Sequence, residues 1–385
     1  MVIDEAKRLA PRFAARAAGH DRDGSFPADD FADLRRAGLF GLMVPARLGG
    51  AGAGFAQYAA VAYELARGNG ATALIFNMHA SVTGALAGVT DELADALGLP
   101  PEALRARDEH LAAAARGSWY AVAMSERGAG SRLSQLSTAY TRVADGFRIT
   151  GSKTFCSGAG HADAYLIAAR SSADPDQVSQ FLVPAGAGLT VEPTWDALGM
   201  RATGSHDLHV DVTVPAEALL GGVEGLALVV AQLAPHWMVA SYAAVYVGVA
   251  RAAVDAAVAH VTERKLGHLP AVRARIGRAD AAVAAAHLAV LEAARRVDEA
   301  PGDAETNRWV WRAKLIAGTT AAEVAASMLE AAGTSAMRRG HPLERLYRDA
   351  RAGSLQPATS DVCADWLGVE AIGGDPDTDG TAPRW

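Results

Sequence analysis

Residues 137–155 read STAYTRVADGFRITGSKTF, and this stretch decides the class of fold. Two runs that alternate between apolar and polar residues surround the tetrapeptide ADGF, which is typical of a tight turn between antiparallel strands. Other short runs, bounded by Gly, Pro and Asp, extend from Trp119 to about Pro215. We therefore predict a β-rich region of roughly 100 residues in the middle of the chain.

Helical patterns flank this region on both sides. The N-terminal part contains FAQYAAVAYELARG at residues 55–68, in which apolar residues recur three to four positions apart. An Ala-rich helical pattern returns after the β-rich region and continues to about Leu367. The order predicts an α+β fold in which helices flank an inserted β-domain. We place the boundaries at 1–115, 116–221 and 222–370, with a tail at 371–385 that is predicted to be disordered.

The charge and the distribution of apolar residues argue against nucleic-acid binding, secretion and a membrane span. The net charge of −7 argues against a nucleic-acid-binding surface, which needs clustered Lys and Arg. The N-terminus is charged and lacks the apolar stretch of a secretory signal, so we expect a cytoplasmic protein. Residues 225–250 are uncharged, but Gln232, Pro235 and His236 interrupt them. We therefore predict a buried helix there and not a membrane span.

The cysteines and histidines give no sign of a metal site. Cys156 and Cys363 have neither metal-ligand spacing nor the pattern of a disulfide framework, which agrees with a reducing cytoplasm. The 11 histidines show no HExxH or H-x₃-H spacing. We predict no metal.

Five separated motifs resemble those of the acyl-CoA dehydrogenase superfamily of flavoproteins, and together they cover essentially the whole chain. In chain order they are GLFGLMVPARLGGAG at 38–52, AMSERGAGS at 123–131, DGFRITGSKTFCSG at 145–158, LGMRATGSHDLHVDVTVPAEALLG at 198–221 and HPLERLYRDAR at 341–351. The resemblance implies an N-terminal helical domain, a middle β-barrel and a C-terminal four-helix bundle. It also implies a bound FAD and a homodimer or homotetramer.

The resemblance assigns four residues to the flavin ring. Met124 and Ser125 match positions that contact the isoalloxazine, and Phe155 matches an aromatic position beside it. Ser157 matches a hydroxyl residue near the flavin N5. Short hydroxyl side chains suit this task, because a flavin's electronics respond to hydrogen bonds near N1 and N5. The alternative for both serines is capping of strand ends.

The glycine-rich run at 126–131 has a second implied role, at the entry for pantetheine and pyrophosphate. Gly128 and Gly130 would let backbone N–H groups approach closely, and Ser131 matches a lining residue for cofactor and substrate. Arg132 stands where the family usually has Asp. This replacement predicts either an added contact to an anionic substrate or a different ligand.

Four further residues match positions that bind FAD in the family, either across a subunit interface or in the C-terminal sequence motif. Arg264 matches an Arg that reaches the FAD pyrophosphate of a neighbouring subunit, and its planar fork suits phosphate oxygens. Glu330 and Gly333 lie in the matching loop, with Glu330 where Gln is common. Thr359 matches a Thr that binds FAD, although Asp361 stands where Gln is frequent.

The usual catalytic base is missing. Acyl-CoA dehydrogenation needs a base to remove the α-proton, and a carboxylate is suited to this task. The family usually places this Glu nine residues after the Arg of RDA. Counting from Arg348, the position holds Pro357. His236, the best match to an alternative position, and His79 are candidate bases, and His79 is also a candidate substrate-binding residue. The alternatives are a helix break beside Trp237 for His236 and core packing for His79.

The first expectation for function is α,β-dehydrogenation of an acyl thioester, bound to CoA or a carrier protein. Hydride would pass to the flavin N5 and electrons to an electron-transfer flavoprotein.

The missing Glu raises two alternatives. Flavin monooxygenases of the same fold form a C4a-hydroperoxide and need no α-proton base; they would use FMN or FAD, oxygen and a flavin reductase. FCSGAGHAD and HPLERLYRD resemble their motifs, but Gln356 stands where they often have His. The third alternative is a flavin-binding protein without turnover.

Overall fold

The computed structural model describes residues 2–376 and residue 378, and its elements follow the predicted α–β–α order. The N-terminal helices of the described part are Val2–Asp23 (α1), Ala28–Arg36 (α2), Phe55–Gly68 (α3), Gly70–Gly88 (α4), Asp91–Ala96 (α5) and Pro101–Ala115 (α6). The strands are Tyr120–Ala123 (β1), Ala139–Val143 (β2), Gly146–Cys156 (β3), Ala164–Ser171 (β4), Val178–Pro184 (β5), Leu189–Glu192 (β6) and His206–Val214 (β7). The C-terminal helices are Leu226–Leu233 (α7), Ser241–Glu263 (α8), Pro270–Glu299 (α9), Ala304–Ala332 (α10), Pro342–Leu355 (α11) and Ser360–Ala371 (α12).

The α+β fold class is therefore confirmed. The exact domain boundaries stay a prediction, and residues 377 and 379–385 of the predicted disordered tail lie outside the described residues.

The predicted hairpin is present at the centre of a seven-stranded sheet. β2 and β3 pair in antiparallel register from Ala139–Thr150 to Val143–Gly146, so that the turn falls on Ala144 and Asp145. Gly146 has φ +143°, and a Cβ there would lie 2.1 Å from the Val214 carbonyl oxygen, so a larger residue would not fit. The strand order is β1-β4-β2-β3-β7-β6, with β5 paired to β4.

A β-bulge near the end of β3 changes which side chains point outward at this edge of the sheet. The register between β3 and β7 shifts between Lys153 and Cys156, and Phe155 within this interval has φ +57°. Because a bulge adds a residue to one strand, the alternation of inward and outward side chains is broken here. Lys153 and Cys156 are both buried, whereas the Phe155 side chain points outward and is 61% exposed.

The C-terminal helices pack closely because small residues line their contacts. α8 crosses α3 at Gly248, where a Cβ would lie 2.5 Å from the Tyr63 carbonyl oxygen. The segment Pro235–Glu263 is long and apolar enough to cross a membrane, but 67% of its most apolar stretch is buried inside the molecule. In this fold the segment therefore serves as a central core helix.

Candidate functional site

Three segments meet at one edge of the sheet and form what we call the sheet rim: residues 124–131 after β1, residues 153–158 at the end of β3, and residues 203–207 at the start of β7. The backbone N–H of Thr154 donates to the Ser125 carbonyl oxygen over 2.9 Å, which joins the first two segments. The backbone N–H of Gly158 donates to the Thr203 carbonyl oxygen over 2.7 Å, which joins the second to the third. The rim is thus one connected unit.

A buried ion pair fixes the turn after β1. Lys153 Nζ lies 2.7 Å from Glu126 Oε1 and also donates to the Met124 carbonyl oxygen over 3.3 Å. Burial raises the pKa of the Glu126 carboxyl, but the Lys153 ammonium and hydrogen bonds from Ser137 outweigh it and hold this pKa at about 2. Burial lowers the pKa of Lys153. The pair therefore holds Met124 and Ser125 against β3.

A second carboxylate, Asp207, ties the bulge to the same turn. Its Oδ1 accepts hydrogen bonds from Thr154 Oγ1 at 2.7 Å and Thr194 Oγ1 at 3.0 Å. Its Oδ2 accepts from Arg127 Nη2 at 2.6 Å. Because one carboxylate serves three segments, the position of the bulge is set by contacts remote in sequence.

A chain of buried hydroxyl groups lies behind the bulge. Ser157 Oγ is 2.9 Å from Ser205 Oγ, which is 2.7 Å from Thr203 Oγ1. Thr203 Oγ1 in turn donates to the Met200 carbonyl oxygen over 2.9 Å. The Ser157 side chain is only 7% exposed, so its hydroxyl is held by protein partners and not by bulk water.

The rim carries an exposed aromatic side chain and an open glycine-rich turn. Phe155 is exposed and makes an edge-on contact with Trp195 at a centroid distance of 6.1 Å. Gly130, with φ +63°, closes the turn through hydrogen bonds in both directions with Glu126, and a Cβ on Gly128 or Gly130 would meet no atom within 4 Å. An exposed aromatic ring and open backbone on the same rim are both suited to a planar cofactor. Of the predicted flavin residues, Met124, Ser125, Gly130, Ser131, Phe155 and Ser157 all lie on this rim.

The predicted substrate residue Arg132 follows the rim directly. Its Nε donates to the Ala129 carbonyl oxygen over 3.0 Å, so one side of the guanidinium is turned toward its own backbone. Its role toward an anionic substrate stays a prediction.

The other predicted cofactor residues lie on the C-terminal helices. Arg264 follows α8 and is exposed, and Gly333 ends α10 with φ +75°. Glu330 forms an ion pair with Arg275 at 2.5 Å, which neutralises the carboxylate that stands where Gln was expected. Thr359 caps α12, because its Oγ1 accepts from the Val362 backbone N–H at 3.3 Å. Their contacts to a cofactor across a subunit interface stay predictions.

His79 has a structural role in this fold, in contrast to the catalytic or substrate-binding role considered for it. Its Nδ1 accepts from the Tyr120 backbone N–H at 3.1 Å, so its Nε2 carries the proton and donates to the Phe40 carbonyl oxygen over 2.8 Å. Burial lowers its pKa to about 4. Both ring nitrogens are therefore occupied by backbone groups, which join α4 to β1 through Tyr120 and to the turn at residues 39–41 through Phe40.

His236 lies between aromatic rings in the break before α8. Its ring centroid is 5.4 Å from that of Phe55 and 5.7 Å from that of Trp237, and the side chain is buried. Within the described residues its Nδ1 has no hydrogen-bond partner. Burial lowers its pKa to about 4, so the ring is neutral at pH 7 and a weak proton acceptor.

The position of the missing base lies in the α11–α12 connection, residues 356–359, which read Gln-Pro-Ala-Thr. The buried Lys314 of α10 donates through Nζ to the carbonyl oxygens of Gly353 at 2.8 Å, Gln356 at 3.1 Å and Ala358 at 2.8 Å. Burial lowers the pKa of Lys314 to about 8. The connection is thus firmly held, but it carries no acidic side chain.

Sequence reasoning missed Glu126, Lys153, Thr203, Ser205 and Lys314. Each lies inside or beside a quoted motif or helix, but the contacts that give it a role come from segments distant in the chain. Among the described residues, no group of three His, Cys, Asp or Glu side chains is placed to hold a metal ion.

Comparison with known proteins gives matches to three family models: the N-terminal domain of acyl-CoA dehydrogenase over residues 1–96, the middle domain over 121–213 and the C-terminal domain over 240–360. The chain is similar to L-evernosamine nitrososynthase of a Micromonospora strain, with 32% identity over 98% of this chain and 91% of that protein. It is also similar to a putative acyl-CoA dehydrogenase, YdbM, of Bacillus subtilis, with 29% identity over 96% of each chain.

A solved structure shares the fold over nearly the full length. The structure of KijD3 in complex with FMN and dTDP-3-amino-2,3,6-trideoxy-4-keto-3-methyl-D-glucose matches with a TM-score of 0.86 and 28% identity, over 98% of this chain and 94% of that one.

Proposed function

The chain belongs to the acyl-CoA dehydrogenase family of flavoproteins, and from this premise we propose that it is a flavin-dependent monooxygenase that transfers oxygen to a nucleophilic nitrogen or sulfur atom of a small organic substrate. Membership of the family supports a flavin at the sheet rim. The chemistry at the α11–α12 connection decides between the family's reactions.

One observation carries the proposal: the position of the α-proton base is Pro357, flanked by Gln356 and Ala358. Dehydrogenation of a thioester requires a group that accepts a carbon-bound proton, and an efficient base has a pKa near the working pH. None of these three side chains ionises, and the pKa of His236 is about 4. Oxygen transfer to a nucleophilic heteroatom needs no such base, so this constellation fits monooxygenation better.

Two of the similar proteins support the same choice. A nitrososynthase acts on nitrogen by its name, and KijD3 was solved with FMN and an amino sugar nucleotide. For this chain we therefore propose an amine as the first substrate class to test and FMN as the first cofactor. FAD remains the alternative cofactor, with Arg264, Glu330, Gly333 and Thr359 as the residues proposed to reach its pyrophosphate in a homodimer or homotetramer.

The residues of the rim fit a flavin ring. Exposed Phe155 offers an aromatic face, Met124 and Ser125 are held against β3 by the Glu126–Lys153 pair, and Gly130 leaves open backbone. When bound, the reduced flavin supplies the two electrons that allow one oxygen atom to enter the substrate and the other to leave as water. The chain's own task is to orient the ring, bind the substrate beside it and exclude water.

The test supplies reduced FMN from an NADH-dependent flavin reductase, isotopically heavy dioxygen, and a panel of amines, amino sugar nucleotides and aryl sulfides. We expect a product that contains one heavy oxygen atom and depends on the protein. Hydrogen peroxide as the sole product, with every substrate unchanged, would contradict the proposal.

Acyl-thioester dehydrogenation is a second candidate, because the buried Nδ1 of His236 has no hydrogen-bond partner within the described residues. If His236 is the base, His236→Ala will slow flavin reduction by a thioester by orders of magnitude while flavin stays bound. A near-normal rate would remove His236 from consideration. A binding protein without turnover would retain flavin but react with neither substrate class.

A further inference from the structure

Thr203, Ser205 and Ser157 form a hydroxyl chain in which only one assignment of the protons makes every hydrogen bond. The Met200 carbonyl oxygen can only accept, so Thr203 donates its proton to it. Ser205 must then donate to Thr203 over 2.7 Å, because the Thr203 proton is already used. For the same reason Ser157 donates to Ser205 over 2.9 Å.

This direction leaves Ser157 without a proton for any further partner. A hydroxyl has one proton and two lone pairs, so Ser157 can still accept a hydrogen bond but cannot donate one. Reversal would take the Thr203 hydroxyl from the Met200 carbonyl oxygen and cost the chain of hydroxyl groups one hydrogen bond; that oxygen would keep the Thr203 backbone N–H at 3.0 Å and Trp195 Nε1 at 3.2 Å as donors. All three side chains are buried, with exposures of 0% for Thr203, 5% for Ser205 and 7% for Ser157, so water does not easily replace a lost partner.

The oxidised and reduced forms of a flavin need different hydrogen-bond partners at N5. The N5 atom of oxidised isoalloxazine accepts hydrogen bonds, whereas two-electron reduction adds a proton and makes N5–H a donor. A neighbour that only accepts satisfies the reduced form and leaves oxidised N5 without a donor from that side.

We propose that Thr203 and Ser205 determine which redox form of the flavin this protein binds, because they fix Ser157 as an acceptor and so favour the reduced form. The inference rests on the proposed function, which assigns a flavin to the rim, and on the match of Ser157 to a hydroxyl residue near the flavin N5. It assigns a specificity role to two residues that lie behind the rim. A protein that receives reduced flavin from a separate reductase would benefit from this preference.

The experiment measures dissociation constants for oxidised and reduced FMN, the latter under anaerobic conditions, in the wild type and in Ser205→Ala. In the variant, Ser157 loses its acceptor and can turn its proton toward N5 of the oxidised ring. We expect the ratio of oxidised to reduced dissociation constants to fall about tenfold. A tenfold change corresponds to a decrease of about 30 mV in the midpoint potential of the bound flavin, which spectroelectrochemistry measures independently.

Thr203→Val provides a second variant that breaks the chain at its other end and should change the ratio in the same direction. Ser179→Ala is the matched control: Ser179 is a buried serine, bonded to Tyr140 and to the backbone N–H of Gly225, outside the rim. It should leave the ratio unchanged. Circular dichroism of each variant verifies that it is folded.

The outcomes separate the two proposals. The wild type and the folded variants Ser205→Ala and Thr203→Val could all show the same ratio of oxidised to reduced dissociation constants for FMN. The hydroxyl chain then does not select the redox form, while the proposed function stands. If the wild type binds neither redox form of FMN or FAD, both proposals are wrong. A ratio that falls equally in Ser179→Ala would also overturn the inference, because the effect would not depend on the chain.

Discussion

The sheet rim and the α11–α12 connection each depend on a buried lysine, but the two lysines have different partners. Lys153 pairs with the carboxylate of Glu126, whereas Lys314 donates to three backbone carbonyl groups. The rim therefore fixes charged and hydroxyl side chains that can meet a cofactor. The connection fixes only the path of its backbone, at the place where dehydrogenation of a thioester would need a catalytic base. The rim thus keeps residues that match the family's flavin site, whereas the connection lacks the family's usual Glu.

The largest effect should come from breaking the Glu126–Lys153 ion pair of the rim. Glu126→Gln leaves the Lys153 ammonium buried without a counter-charge, and we expect a loss of about 3–5 kcal/mol in the free energy of unfolding together with loss of flavin binding. Urea denaturation measures the first and flavin fluorescence the second.

Two further variants serve as controls for this prediction. The double variant Glu126→Gln/Lys153→Met removes both charges and should recover part of the stability. Asp211→Asn breaks an exposed pair with Arg148 and should cost less than about 1 kcal/mol. Equal costs for the buried and the exposed pair would show that the rim does not depend on its buried charges.

Acid should weaken the rim through the same carboxylate. The pKa of Glu126 is about 2 in the folded protein, below the ordinary value of 4.5, so the unfolded state binds more protons between these values. The stability that Glu126 contributes is present above about pH 4.5 and is lost as the pH falls toward 2, on the order of 3 kcal/mol. Thermal unfolding from pH 6 to pH 2.5 should show this slope in the wild type. A slope that is equally steep in Glu126→Gln would assign the effect to other groups.

Removing the hydrogen bonds of Lys314 to the α11–α12 connection should have a smaller and more local effect. Lys314→Met removes the donor from three carbonyl groups but introduces no unpaired charge, and we expect a cost of about 2 kcal/mol. Hydrogen exchange should accelerate near residues 356–359, while flavin affinity stays within about threefold of the wild type because the rim is untouched. A variant that loses flavin as completely as Glu126→Gln would abolish the distinction between the two regions.

The smallest effect should come from His236. His236→Phe places a third apolar ring beside Phe55 and Trp237 and removes a buried nitrogen that has no partner within the described residues. We expect a change in stability below about 1 kcal/mol and oxygenation within about twofold of the wild type. Loss of activity by orders of magnitude would instead identify His236 as a proton acceptor.

The sequence predicted local features better than features built from distant segments. The β2–β3 hairpin follows from ADGF and its alternating flanks, and the core position of α8 follows from its long apolar run. The bulge at Phe155 could not be predicted, because it depends on the register between β3 and β7, about 50 residues apart. The role of Lys314 was equally hidden, since its carbonyl partners lie roughly 40 residues later in the chain.

In the candidate site, too, the residues within motifs could be predicted, but the contacts between distant segments could not. Motif resemblance indicated Ser157, which lies on the rim, but not Thr203 and Ser205, which determine the direction of its proton. His79 is a candidate because its helix matches one that lines the active cavity in the family that the chain resembles. In the structure, backbone groups of two distant residues occupy both of its ring nitrogens. Spacing along a chain does not reveal such tertiary hydrogen bonds.

We propose that this protein keeps the residues of the family's flavin site but lacks the family's usual proton acceptor. The most direct test is anaerobic mixing of the flavin-loaded protein with a panel of acyl-CoA thioesters, followed by absorbance spectroscopy of the flavin. We predict that the oxidised flavin spectrum persists with every thioester, while the protein still oxygenates a substrate when reduced flavin and dioxygen are supplied. Bleaching of the flavin with formation of an enoyl thioester would contradict the account.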